Sequence, residues 1–221
     1  MDLLIFDLDG TLIDSKRDLA EAVNATRANL GLAPLDLATI AKYVGNGAPV
    51  LIRRALGPGY SEEQVEEALL YFLDYYRDHS LDYTRLYAGV RDALDALRSR
   101  GIAMAVLTNK PVRVSKAILE GLGVAGHFFK CYGGNSFEQK KPHRVGVDAL
   151  RQEAGGVAPE RTMMVGDSSV DVQTAINAGV KSCGVTYGFQ PETLSDPKPD
   201  LLVDRMEQLV QWVASNSQPC S

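Results

Sequence analysis

The amino-acid sequence predicts an α/β fold, a parallel sheet with crossover helices that a helical insert interrupts early. Three observations carry that reading. From residue 86 short apolar runs alternate with segments of helical period, as repeated strand and helix units require. A separate apolar run, Leu3 to Phe6, opens the chain. Between the two, residues 15–85 hold helix-like segments and no convincing strand.

Taken in order, the opening run predicts a buried strand, and helix-like segments follow at about 16–31, 36–43, 48–57 and 62–80. Tyr87, Ala88 and Gly89 offer a hinge before a helix starting near Val90, where Val90, Leu94 and Leu97 share one face ahead of Gly101. Ile102 to Leu107 predicts the second strand, and Val114, Ile118 and Leu122 the buried face of a helix that stops at Gly123. Phe129 to Tyr132, Thr162 to Val165, Ser182 to Val185 and Leu201 to Val203 predict further strands. Val172, Ala175 and Ile176 predict a helix face before Gly179; Met206, Leu209, Val210 and Val213 predict a closing amphipathic helix, with Trp212 in the packing. A contiguous N-terminal helical domain would orphan the opening strand. The expected division is therefore a discontinuous core, 1–14 and 86–221, and a helical insert, 15–85.

A chain of 221 residues with 45% apolar content is long enough for one large domain, or for a domain with an insert. Its formal charge of -5 and the lack of a basic run argue against a nucleic-acid surface, because phosphate backbones demand a basic face. The chain enters a strand-like run at once, without a basic leader or a segment of membrane-spanning length, so a cytoplasmic protein without membrane contact is expected. Cys131, Cys183 and Cys220 lack metal-ligand spacing. The first two lie in strand-like stretches and read as small core residues, with neither disulfide nor zinc expected.

The chemistry starts where the first strand ends. Asp7, Leu8, Asp9, Gly10 and Thr11 follow the opening run directly. Alternation along an extended chain puts both carboxylates on one face, with Leu8 pointing into the core. Two acids held this close share a cation or a proton, since desolvating them separately is costly. Gly10 permits a sharp exit from the strand, and the Thr11 hydroxyl with freed backbone amides suits an anion. Taken alone, the pair also fits a strand end with solvated acids and a glycine turn.

In an open parallel sheet, ligands sit at the carboxyl ends of strands. Thr108, Asn109 and Lys110 follow the second run, and Gly166, Asp167, Ser168, Ser169, Val170 and Asp171 follow the fourth. Lys140 and Lys141 precede Pro142 in the loops after the third. Each has a plainer reading: Thr108 as a helix cap ahead of Pro111, Lys141 as a surface lysine, Asp167 and Asp171 as acids at a helix start. Their joint occurrence at matching strand ends favours a site that holds phosphate and a cation.

With these residues in place the chain resembles the haloacid dehalogenase superfamily, whose phosphatases carry Asp-x-Asp-x-Thr, a Thr or Ser after the second strand, a Lys and a terminal acidic pair. The resemblance spans essentially the whole length and implies a Rossmann-like core, with the insert as a helical cap. It implies that Asp7 attacks phosphorus to form an aspartyl phosphate. Asp9 would protonate the leaving alkoxide and then deprotonate the hydrolytic water. Thr108 and Lys141 would hold the phosphoryl oxygens. Mg²⁺ would bind Asp7, Asp167 and the Asp9 carbonyl, with Asp171 behind them.

Finer details look like the phosphoglycolate phosphatases of that superfamily and imply a small phosphorylated metabolite, 2-phosphoglycolate first, as substrate. They are Thr108 to Pro111, Lys141 to His143, Gly166 to Ser168, Thr186 to Gly188, and Val44 to Ala48 in the insert. The polar turn at Gly45, Asn46 and Gly47 could close over such a substrate and offer Asn46 to a carboxylate or hydroxyl, with Gly45, Asn109 and Thr11 also expected at the substrate; its plainer reading is a helix linker. Arg53 and Arg54 read as solvated, and His143 receives no catalytic role. Arg144, Asn135 and Ser136 depart from the pattern beside the Lys141 loop. A dehalogenase is disfavoured because it would lack Asp9, and a hexose phosphate mutase because the turn carries no basic residue. Hydrolysis of pyrophosphate, nucleotides or other sugar phosphates, and silent phospholigand binding, are the other readings.

Overall fold

The computed structural model describes residues 1–216. Its centre is a six-stranded, wholly parallel sheet in the order β5-β4-β1-β6-β7-β8, formed by β1 (Leu3–Phe6), β4 (Ala103–Leu107), β5 (Lys130–Tyr132), β6 (Thr162–Gly166), β7 (Lys181–Val185) and β8 (Leu201–Val203). Helices cover both faces, as a Rossmann-like fold requires. Leu4 and Phe6 of β1 join a core with α5 (Val90–Ser99), α6 (Val112–Gly121) and α9 (Met206–Asn216). Leu3 and Ile5 point the other way, against α7 (Val145–Glu153) and α8 (Ser169–Ala178). A strand buried on both faces has to read as a continuous apolar run, and β1 does.

Register positions the chemistry. Phe6 of β1 stands level with Val106 of β4 and Val165 of β6, so the residues that follow these three strands emerge side by side. The chain moves outward from β1 through β4 to β5, then returns to β6 on the opposite side. This reversal leaves a crevice beyond the end of β1, where open α/β sheets bind ligands.

Between β1 and β4 lie α1 (Lys16–Asn29), α2 (Leu37–Ala41), α3 (Ala48–Leu56) and α4 (Glu62–His79), packed on one another and close to the expected positions. Capping chemistry starts two of them. Asp36 accepts from the Thr39 amide at α2, and Ser61 with Gln64 forms a reciprocal box at α4. The sequence pattern shows no sign of the two-residue ribbon β2 (Ile13–Asp14) with β3 (Arg85–Leu86), which pairs the chain entering this helical segment with the chain leaving it. Two residues per strand are too few to register as a period.

One helix face differs from expectation. Ile176 of α8 is 53% exposed, whereas Val172, Ala175 and Ala178 are buried. Small residues at 175 and 178 bring α8 close to the sheet, and that stripe turns Ile176 outward. Cys131 and Cys183 are buried free thiols, as expected; Cys220 lies outside the described residues. No helix among the described residues is long and apolar enough to cross a membrane.

Candidate active site

Strand alternation stops at Phe6, and a turn positions the two leading acids. The Asp7 amide donates to the Val165 carbonyl (2.9 Å), which continues the ladder to β6 by one bond. The Leu8 carbonyl then accepts from the amides of Thr11, Leu12 and Ile13, while Gly10 takes a φ of +83° that side chains disfavour. Leu8 is fully buried, as expected. Asp7 and Asp9 line one cleft.

Each acid has its own lysine. Lys141 Nζ lies 2.9 Å from Asp7 Oδ1 and 2.6 Å from Asp171 Oδ1, and Lys110 Nζ lies 3.0 and 3.1 Å from the two carboxylate oxygens of Asp9. Ser15 at the start of α1 also donates to Asp9, and Tyr76 of α4 accepts from Lys110 (2.7 Å). Asp171 is further held by the Ser168 amide and hydroxyl in a box that starts α8. Asp167 accepts from the Phe189 amide (2.6 Å) and is walled in by glycines. A Cβ at Gly188 would come 2.2 Å from Asp167 Cβ, and one at Gly10 2.2 Å from Asp167 Oδ2.

Asp7, Asp167 and Asp171 bring carboxylate oxygens within 4.8 Å of one another, all buried. Burial, with repulsion from Asp171 and Asp7, pushes the Asp167 carboxyl up to about 8. Burial also raises Asp7, to about 6, even though Lys141 pulls the other way. For Lys141 burial disfavours the charge, but Asp171 and Asp7 outweigh it and hold the ammonium above the usual lysine value. Three acids facing one ammonium carry excess negative charge, and the hard oxygen donors fit a divalent cation.

The cleft encloses about 680 Å³ of empty space open to solvent. Of the expected residues, Asp7, Asp9, Thr108, Asn109, Gly45 and Asp167 line it. Lys141 and Asp171 stand behind that lining, tied to Asp7. Thr11 is buried beside the turn with its hydroxyl lacking a partner, and Asn46 presents its carbonyl to Lys140 Nζ (2.7 Å). Asn109 bridges the sheet and the 45–47 turn, since its Nδ2 donates to the carbonyls of Gly45 (2.9 Å) and Lys141 (3.1 Å). His143 Nδ1 accepts from the Val145 amide at the start of α7, and Asn135 Oδ1 does the same for Val112 at α6. Arg53 pairs with Glu62 at the surface, and Arg144 with Asp148.

Sequence reasoning assigned no role to Lys110, Tyr76, Ser15 or Gln190. Lys110 had a visible signal, its place in the polar run after β4. Tyr76 had none, because with Phe72 four residues earlier it reads as ordinary helix core. Gln190 Nε2 donates to the carbonyls of Lys42 (3.1 Å) and Val44 (2.9 Å), a contact between segments far apart in sequence that no local pattern reveals.

A parallel sheet with this acid and lysine set at its switch point defines a class, the haloacid dehalogenase-like hydrolases. The chain belongs to that family, whose sequence model matches residues 4–185. It is similar to the phosphoglycolate phosphatase of Pseudomonas putida, 42% identical over 96% of this chain and 79% of that protein. It is likewise similar to the phosphoglycolate phosphatase of Vibrio vulnificus, 38% identical over 96% of this chain and 95% of the other. Among solved structures, one described as a predicted phosphoglycolate phosphatase from Haemophilus somnus superposes with a TM-score of 0.91 at 31% identity, covering 96% of this chain and 98% of that one.

Proposed function

We propose that this protein hydrolyses a small phosphate monoester, 2-phosphoglycolate ahead of other esters, through an aspartyl phosphate on Asp7 with Mg²⁺ as cofactor. The observation that carries the reading is Asp7 itself, a buried carboxylate that lines the cleft and is held by Lys141 beside Asp167. The names of the relatives support the choice of ester.

The residues divide the work. Asp7 attacks phosphorus as the ester P–O bond breaks, and Asp9 gives its proton to the departing alkoxide. Water then attacks the same phosphorus; Asp9 takes its proton, and the bond to Asp7 breaks to release phosphate. Thr108 and Lys141 bind the phosphoryl oxygens, and Lys141 offsets the repulsion between a dianionic ester and an anionic nucleophile. Asp171 keeps Lys141 in place through its 2.6 Å contact. Mg²⁺ would be held by Asp7, Asp167 and the Asp9 carbonyl, with Asp171 nearby, and would supply further charge neutralisation.

Residues 15–85 act as a cap on the core formed by 1–14 and 86–221. The cap contributes Leu51, Phe72 and Tyr76 to the cleft, and Lys110 is the one cationic residue among the described residues lining it. Its ammonium is already taken up by Asp9 and Tyr76, and apolar walls on the cap side suit a short leaving group.

Phosphate release from a panel of phosphorylated metabolites with Mg²⁺ tests the proposal. We expect 2-phosphoglycolate among the best substrates, reversible loss of activity with EDTA, and none in Asp7→Asn. Full activity in Asp7→Asn or in EDTA would sink the mechanism. A poor rank for 2-phosphoglycolate would reject only the substrate.

A further inference from the structure

We infer that Lys110 and Tyr76 are positioning residues for this reaction, which together aim the Asp9 carboxylate at the leaving oxygen and tie it to helix α4. The inference rests on the phosphatase reading above and adds to it the two residues through which the cap reaches the proton-transferring acid.

Geometry makes the case. The Lys110 side chain is 3% exposed, and its ammonium spends its hydrogen bonds on both Asp9 oxygens and on Tyr76 Oη. Burying an ammonium is costly unless it is paired and hydrogen-bonded, and an apolar residue would fill the same space more cheaply. Packing therefore gives no reason for a lysine here, whereas fixing a carboxylate does. Tyr76 is 2% exposed, and its ring stacks on Phe72 at 5.6 Å with the planes 7° apart. That stacking sets where its hydroxyl can meet Lys110. Proton transfer requires Asp9 within hydrogen-bond reach of the leaving oxygen, and small misplacements of a reacting group are costly in rate. Lys141 performs the matching task for Asp7, and neither lysine contacts the other's acid.

Leaving groups separate this role from a structural one. Acetyl phosphate departs as a carboxylate and needs no proton, whereas ethyl phosphate and 2-phosphoglycolate depart as alkoxides that do. The quantity to compare is kcat/KM, because it reports on steps up to phosphoryl transfer to Asp7 and not on later hydrolysis. For Lys110→Met with Mg²⁺ we expect a loss of about 10²-fold on both alkyl esters and less than about 3-fold on acetyl phosphate, the scale of general acid catalysis. Tyr76→Phe, which removes only the hydroxyl, should show the same pattern more weakly, and it carries the test if Lys110→Met does not fold.

An equal loss on all three esters, or no loss on any, overturns the inference. So does a loss confined to 2-phosphoglycolate, which would make Lys110 a binder of the substrate carboxylate. A wild-type protein that releases phosphate from none of the three and from no ester of the metabolite panel overturns the phosphatase reading and this inference with it; activity on all three with a uniform loss in the variants overturns the inference alone.

Discussion

Asp7 and Asp9 stand two positions apart in the chain yet answer to different lysines, and that separation gives two like residues the unlike surroundings that the proposed division of work requires. Lys141 holds Asp7 beside Asp167 and Asp171, whereas Ser15 and Lys110, itself bonded to Tyr76, hold Asp9 on the cap side of the cleft. Glycine is required where Asp167 is walled in. A Cβ at Gly188 would sit 2.2 Å from Asp167 Cβ, so Gly188→Ala must shift the backbone or the acid. Overpacking of this kind costs about 1–3 kcal/mol, and we expect Gly188→Ala to lower stability on that scale in urea titrations and to weaken Mg²⁺ binding by calorimetry. Unchanged metal affinity would separate Asp167 from the cation. At this scale Asp7, Asp167 and Lys141 were legible in the sequence because each follows a readable strand or precedes a distinctive Pro. Tyr76 was not, since what makes it special is a lysine 34 positions away.

Elements bring these residues together through register. The carboxyl ends of β1, β4 and β6 lie level, and each ends in polar sequence, which explains why strand positions alone predicted most of the site. The β2–β3 ribbon escaped prediction because its four residues are defined by a pairing across more than seventy positions. The exposed side of α8 escaped for a related reason: how closely a helix approaches its sheet depends on both partners. Helix α4 carries Tyr76, so its stability concerns the site indirectly. Ser61→Ala breaks the box at its start and should cost about 1 kcal/mol of unfolding free energy. With Ser61 remote from the cleft, kcat/KM should stay within about two-fold, since surface caps act on stability alone. A tenfold fall in kcat/KM would mean that fraying of α4 reaches the chemistry.

The whole molecule gathers excess negative charge around one point, and stability should report it. In the folded protein Asp7 is raised to about 6 and Asp167 to about 8, against ordinary values of 3.8. Between about pH 4 and 8 the folded state therefore binds protons that the unfolded chain has lost, so these groups contribute most below the unfolded value and progressively less as pH rises through 8. A divalent cation prefers the ionised acids and has the opposite dependence. Thermal melts should show the metal-free protein losing stability from pH 5 to 8.5. The rise in melting temperature caused by Mg²⁺ should be larger at pH 8.5 than at pH 5. An equal rise at both would indicate a cation site elsewhere.

In the proposed reaction phosphorus is attacked twice, first by Asp7 and then by water. Each in-line attack inverts the configuration at phosphorus, so two restore it. The direct measurement is the stereochemical course of transfer from a monoester made chiral with oxygen isotopes, trapped on an alcohol acceptor in place of water. Retention is the predicted result, and inversion would mean a single direct displacement and would contradict an intermediate on Asp7.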